Sequence, residues 1–108
     1  MTNPHTFEDL NQDVIAWANK PGIDIIKGST THAQFVKLIE EVGELAQGIV
    51  KSKQDLIKDS FGDVLVVLII LAAQHDLELA DCLQIAYNEI KDRKGRKENG
   101  VFVKEEDL

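Results

Sequence analysis

The chain has 108 residues, 44% of them hydrophobic, which is one domain of near-minimal size with apolar side chains enough for a single core. Its formal net charge of -7 argues against general nucleic-acid binding and against a polybasic membrane anchor. A lone cysteine, Cys82, excludes an internal disulfide and a cysteine-based zinc site, and it suits a reducing cytoplasm.

The N-terminal stretch, residues 1–6, carries no apolar region of the kind a secretory leader needs. Beyond it the apolar spacing is helical nearly everywhere. Leu10, Val14, Ile15 and Trp17 predict a first helix over residues 7–19, ended by Pro21-Gly22. Residues 23–29 read as an extended or irregular connector. A second helix is expected from Thr31, where Thr31-His32-Ala33-Gln34 fits a capping box with Gln34 reaching back to the cap. Phe35, Leu38, Ile39, Val42, Leu45, Ala46 and Ile49 follow at steps of three and four, one apolar stripe that fades near Lys51.

Ser52 or Asp55 is the expected cap of a third helix running to about Gln74. The run from Val64 to Ala73 is about half the roughly 20 residues a bilayer requires, so it reads as a core helix. It is apolar on every side, and a chain this short offers too few neighbours to cover it, so helices from a second copy are expected to complete the core. His75-Asp76 reads as a turn. A fourth helix is expected over residues 78–94, with Leu79, Cys82, Leu83, Ala86 and Ile90 inward and Gly95 as terminator. Val101-Phe102-Val103 suits a small extended segment in the tail. The expected architecture is an all-α four-helix bundle in a single domain, residues 1–108, with a helical core over 7–97 and a tail over 98–108.

Two acidic clusters carry the candidate chemistry. On the second helix Glu44 lies one turn from both Glu40 and Glu41, and Gln34, Lys37, Glu41 and Glu44 form a polar stripe roughly opposite the apolar one. Asp59 and Asp63 share a side of the third helix, and Asp63 runs into the apolar stretch. Antiparallel packing would bring Asp63 near Glu41 and Glu44, where Mg²⁺ suits the hard oxygen ligands. Two readings stand on this evidence: a solvated helix face, or a metal site that offsets the desolvation of the carboxylates. The basic run Lys91-Asp92-Arg93-Lys94-Gly95-Arg96-Lys97 likewise reads either as favourable charge at a helix end or as a phosphate clamp, with Tyr87 and Asn88 one turn earlier near a base or sugar. His5, His32 and His75 are scattered without zinc spacing. Cys82 reads as a small core residue. Trp17 reads as a core or interface anchor, with stacking on a nucleobase as the alternative.

The segment Gln34-x-x-Lys37-Leu38-x-Glu40-Glu41-x-Gly43-Glu44-Leu45, followed by Gly62-Asp63-Val64-Leu65, resembles the MazG-type all-α nucleoside triphosphate pyrophosphohydrolases, whose signature is E-E-x-x-E, a spacer, then E-x-x-D. The resemblance covers residues 7–97. It implies a MazG-like helical fold, a homodimer or homotetramer, and Mg²⁺-dependent hydrolysis (Mn²⁺ as the alternative ion) of a nucleoside triphosphate to the monophosphate and pyrophosphate. It implies Glu41, Glu44 and Asp63 as metal ligands, with Glu40 as the extra glutamate of the motif. The glutamate of E-x-x-D falls at Ser60, and Asp59, one turn from Asp63, is the substitute available. Gln34, Lys37, Asn88, Lys91, Arg93 and Lys94 would hold the substrate. Nucleic acid and membrane are not expected partners. Two rivals are a phosphoribosyl-ATP pyrophosphohydrolase and a non-catalytic helical module that binds nucleotide or protein.

Overall fold

Thr6 starts the first helix by a reciprocal cap. Its hydroxyl accepts from the Asp9 N–H at 3.0 Å, and its own N–H donates to the Asp9 carboxylate at 3.4 Å. Helix α1 then spans Phe7–Ala18 and stops at Asn19. The structure, a computed structural model, describes residues 6–108, so His5 lies outside the described residues.

The expected irregular connector is instead a short helix, α2, over Ile25–Gly28. A polar clamp holds it. The Gln74 amide donates to the Ser29 carbonyl at 2.9 Å and to the Ile26 carbonyl at 3.3 Å, satisfying acceptors that a four-residue helix leaves open. Helix α3 spans Thr31–Val50, but its cap is Thr30, whose hydroxyl accepts from the Ala33 N–H at 3.0 Å. Thr30 has the extended backbone of a cap residue, whereas Thr31 is already helical. Gln34 therefore does not fold back on the cap. Its amide donates to the Ser29 hydroxyl at 3.0 Å.

Helix α4 spans Gln54–Gln74 behind a tight connection. Ser52 adopts a positive φ of 53°, reversing the chain, and Lys53 occupies the cap position without a side-chain bond. Neither Ser52 nor Asp55 caps the helix. Asp55 sits in the first turn, where its charge complements the helix dipole. Helices α3 and α4 form an antiparallel pair that approaches closely at Gly48. A Cβ there would lie 3.1 Å from Ile57 Cγ1 and 3.3 Å from a Leu56 side-chain carbon.

The pair packs on the side of α3 that carries Glu41, away from most of the apolar stripe. Glu41 and Gly48 of α3 are buried, and Gln34, Leu38 and Leu45 are half-buried. Phe35, Ile39, Val42 and Ile49 are exposed, Phe35 by 53% and Ile39 by 56%. Only Leu38 and Leu45 of the expected stripe reach the intramolecular core. Val67, Ile69 and Ile70 of α4 and Ala18 of α1 are its buried apolar centre. Two polar residues are enclosed with them and lack hydrogen-bond partners, Asn11 and Ser60.

Asp76 turns the chain, and α5 spans Leu79–Ile90 against α1 and α4. The Gln12 amide of α1 donates to the Glu78 carboxylate, at the start of α5, at 2.9 Å. Leu79 and Cys82 are half-buried, while Leu83, Ala86 and Ile90, expected inward, are exposed. The helix ends four residues before the expected boundary, because the next segment pairs as a hairpin. Strands β1 (Gly95–Glu98) and β2 (Val101–Lys104) run antiparallel, with Gly95 opposite Lys104 and Glu98 opposite Val101. Asn99 and Gly100 both have positive φ, 51° and 83°, as a two-residue primed turn requires. A 3₁₀ turn over Glu105–Asp107 follows. The molecule is thus mostly helical, with five helices and one hairpin among the described residues. Its Cα radius of gyration is 16.9 Å, against about 13 Å for a compact chain near this length.

Candidate metal centre

Three carboxylates converge where α3 crosses the first half of α4. Glu41, Glu44 and Asp63 each present an oxygen within 4.8 Å of the other two. The helix period places Glu41 and Glu44 on one side of α3, and the antiparallel pairing that brings Gly48 to Ile57 carries Asp63 to the level of Glu41. Burial is graded across the cluster: Glu41 is 6% exposed, Asp63 is half-buried and Glu44 is exposed.

The carboxylates oppose one another electrostatically. The negative charge of Glu41, with some burial, raises the Glu44 pKa above the usual glutamate value. Burial, then the neighbouring charges of Asp59 and Glu41, raises the Asp63 pKa. Lys37 is the cation at hand. Its ammonium lies 3.1 Å from Glu41 Oε1 and 3.9 Å from Glu40 Oε2, and the bond to Glu41, then its charge, raises the lysine pKa. The other Glu41 oxygen, Oε2, is buried with no hydrogen-bond partner. An enclosed carboxylate oxygen without a donor costs free energy that a cation would offset. The donor set, three hard oxygens on rigid helices, fits Mg²⁺ or Mn²⁺.

Each remaining site expectation has a definite place. Asp59 is exposed and neighbours Asp63, but it is not in the three-carboxylate group. Glu40 is exposed at the rim. Ser60, at the glutamate position of the motif, is fully enclosed and its hydroxyl has no partner. Gln34 is committed to Ser29.

Asn88 accepts from the Gln84 amide at 3.0 Å on the exposed side of α5, and Lys91 caps that helix. Arg93 and Lys94 are not helical. They line a shallow groove with Asp92, Lys104, Glu105 and Glu106. Lys37 pairs with Glu40 and Glu41 beside the carboxylate cluster, and the charge of Asp59 acts on Asp63. Sequence reasoning missed the enclosure of Asn11. The signal was there, since Phe7, Asn11, Val14 and Ala18 share one side of α1 and a polar residue interrupts it.

A helical pair with a partly buried carboxylate cluster at its crossing defines an all-α class built around an acidic site. Comparison with known proteins gives that class its family. The MazG nucleotide pyrophosphohydrolase domain matches residues 29–97, and the chain belongs to this family. It is similar to the crystal structure of the Bacillus-conserved MazG protein, a nucleotide pyrophosphohydrolase. That similarity has a TM-score of 0.70 and 26% identity, over 86% of this chain and 97% of that one. It is also 42% identical over 72 residues to an uncharacterized 18.2 kDa protein in the rep-hol intergenic region of Haemophilus phage HP1 (strain HP1c1). That match takes in 67% of this chain and 43% of the phage protein's length.

Proposed function

We propose that the chain is a divalent-metal-dependent nucleoside triphosphate pyrophosphohydrolase. The observation that carries this reading is the partnerless, enclosed Oε2 of Glu41 inside a cluster with Glu44 and Asp63. Glu41, Glu44 and Asp63 would hold the ion, Mg²⁺ or Mn²⁺. Bound there, the cation would neutralise phosphate charge and make a water a better nucleophile. Water adds at phosphorus, the α–β phosphoanhydride bond breaks, and the products are the monophosphate and pyrophosphate. Glu40 and Asp59, exposed beside the cluster, are the groups available to take the proton from the attacking water or to serve as further ligands. Lys37, beside the carboxylates, would be a cation available to the phosphates, and Gln34 sits one turn before it on the same helix. Asn88, Lys91, Arg93 and Lys94 lie on or just beyond α5 and would serve as the phosphate and sugar clamp, from this subunit or from a neighbour.

The exposed stripe of Phe35, Ile39, Val42 and Ile49 and the expanded radius of gyration support assembly into a homodimer or homotetramer. No helix among the described residues is long and apolar enough to cross a membrane. That fits a cytoplasmic protein with a free Cys82.

Incubating the protein with a panel of nucleoside triphosphates and Mg²⁺ should release pyrophosphate, and Glu41→Gln should abolish the release. Absence of pyrophosphate across the nucleoside triphosphates defeats the reading, and release from phosphoribosyl-ATP alone favours the phosphoribosyl-ATP pyrophosphohydrolase instead. The binding-module alternative is favoured by Ser60, whose hydroxyl stands where the motif has a carboxylate. Turnover in the same assay excludes that alternative.

A further inference from the structure

Lys37 does not fit a phosphate-binding side chain that waits in solvent. Its ammonium is already engaged, 3.1 Å from Glu41 Oε1 and near Glu40 at 3.9 Å. Glu41 is itself nearly enclosed, and its second oxygen reaches no donor. The cluster therefore holds three carboxylates with one monovalent cation drawn onto its most buried member. A lysine at the helix spacing of four residues reaches that carboxylate with its own stem, and half of its side chain remains in water.

We propose that Lys37 is the resident counter-ion of the metal-free site, and that it gives up Glu41 to an incoming divalent cation and swings out to meet the nucleotide phosphates. The inference rests on the metal-site reading above and adds an order to it: ion first, then phosphate. The charges favour such an exchange. A divalent ion on Glu41 Oε2 and an ammonium on Oε1 repel each other, and the exposed half of the lysine gives it a short path to solvent. The lysine then carries two roles that exclude each other in time. While it sits on Glu41 it weakens the site for a bare ion. Once displaced, it favours phosphate binding beside the ion already in place, because the freed ammonium gains a new partner. Metal and nucleotide binding are thereby coupled through one side chain, and the coupling is reciprocal.

The test uses the full chain and Mn²⁺ alone, read by electron paramagnetic resonance of the free ion. Lys37→Met and Lys37→Gln should bind Mn²⁺ about two- to fivefold more tightly than the unaltered protein, the worth of a half-exposed ion pair that no longer has to be broken. In a crystal soaked with MnCl₂, the Lys37 ammonium should lie beyond hydrogen-bond distance of Glu41. Equal or weaker Mn²⁺ binding by both variants overturns the inference, as does an ammonium still on Glu41 with the ion in place. Either result leaves the metal site itself intact. If the unaltered protein binds no Mn²⁺ at all, the metal-site reading and this inference fall together.

Discussion

Glu41 on α3 and Asp63 on α4 hold carboxylate oxygens within 4.8 Å of each other across a helix pair, and each is at least half withdrawn from water. Two like charges at that separation oppose folding unless a cation lies between them. Glu41→Gln and Asp63→Asn should each lower pyrophosphate release at least 10- to 100-fold. That is the scale seen when residues behind metal ligands are changed, so a direct ligand should cost no less. Calorimetric titration with Mg²⁺ checks whether the loss tracks metal affinity.

The same opposition sets a pH dependence. The folded-state pKa values of Asp63 and Glu44 are raised, so the folded protein binds more protons than the unfolded chain just above pH 4. The stability of the metal-free protein should therefore fall as pH rises through and beyond the ordinary carboxylate range. Saturating Mg²⁺ should remove most of that slope. Asp63→Asn should raise the metal-free melting temperature, at roughly 4–8 °C per kcal/mol for a domain of this size, and should lose the stabilisation by Mg²⁺. Lys37 adds to the fall only in strong alkali. Its raised pKa gives stability that is present below the usual lysine value and lost above it. Thermal melts from pH 4 to 8, with and without the ion, show the slope or its absence.

Ser60 offers a test of what an enclosed polar atom costs. Its side chain has no exposure and its hydroxyl no partner. Ser60→Ala removes that burden without opening a large hole, so the variant should be as stable as the parent or up to about 1 kcal/mol more so. A loss of more than 1 kcal/mol in urea unfolding would mean that the hydroxyl has a partner in the assembled protein.

What could be read in the sequence was whatever local periodicity encodes. The positions of α1, α3 and α4, the turn at Asp76 and the meeting of Glu41, Glu44 and Asp63 all follow from steps of three and four and one antiparallel pairing. The choice between neighbouring cap residues did not. Thr30 and Thr31 are the same side chain, and only the backbone angle at Thr30 decides which one caps α3. The end of α5 was missed because the basic run continues a helical composition, while the Asn99-Gly100 pair that nucleates the hairpin lies downstream of it. What faces each side of α3 was not legible for a deeper reason. A stripe shows that a face will be covered, not by what, and here the neighbour inside the chain covers the side with Glu41 and Gly48.

Gly95 can be replaced only at the expense of the hairpin. A Cβ at this position would press into the Val103 carbonyl and the Phe102 ring. Gly95→Ala should detach β1 from β2 and free the backbone bond in which the Glu105 N–H donates to the Lys94 carbonyl at 2.8 Å. Amide exchange over residues 95–104 should accelerate while α3 and α4 stay protected. If Arg93 and Lys94 serve the substrate, KM for the nucleotide should rise in this variant with little change in Mg²⁺ affinity.

The last prediction concerns the exposed face of α3. Phe35, Ile39, Val42 and Ile49 lie at steps of four, three and seven, along one side of the helix, each at least 44% exposed. Four large apolar side chains in one row make a patch that soluble monomers rarely leave open. A second copy of the same helix pair would cover it symmetrically, as the commonest homodimer geometry does. Ile39→Asp and Val42→Asp should then shift the sedimenting species to monomer and lower the melting temperature, because each places a charge in a desolvated interface. In a protein that is monomeric to begin with, the same changes fall on solvated positions and should move stability by about 0.5 kcal/mol or less. The two outcomes are opposite in sedimentation and in stability, so one pair of variants separates an assembled core from a bare one.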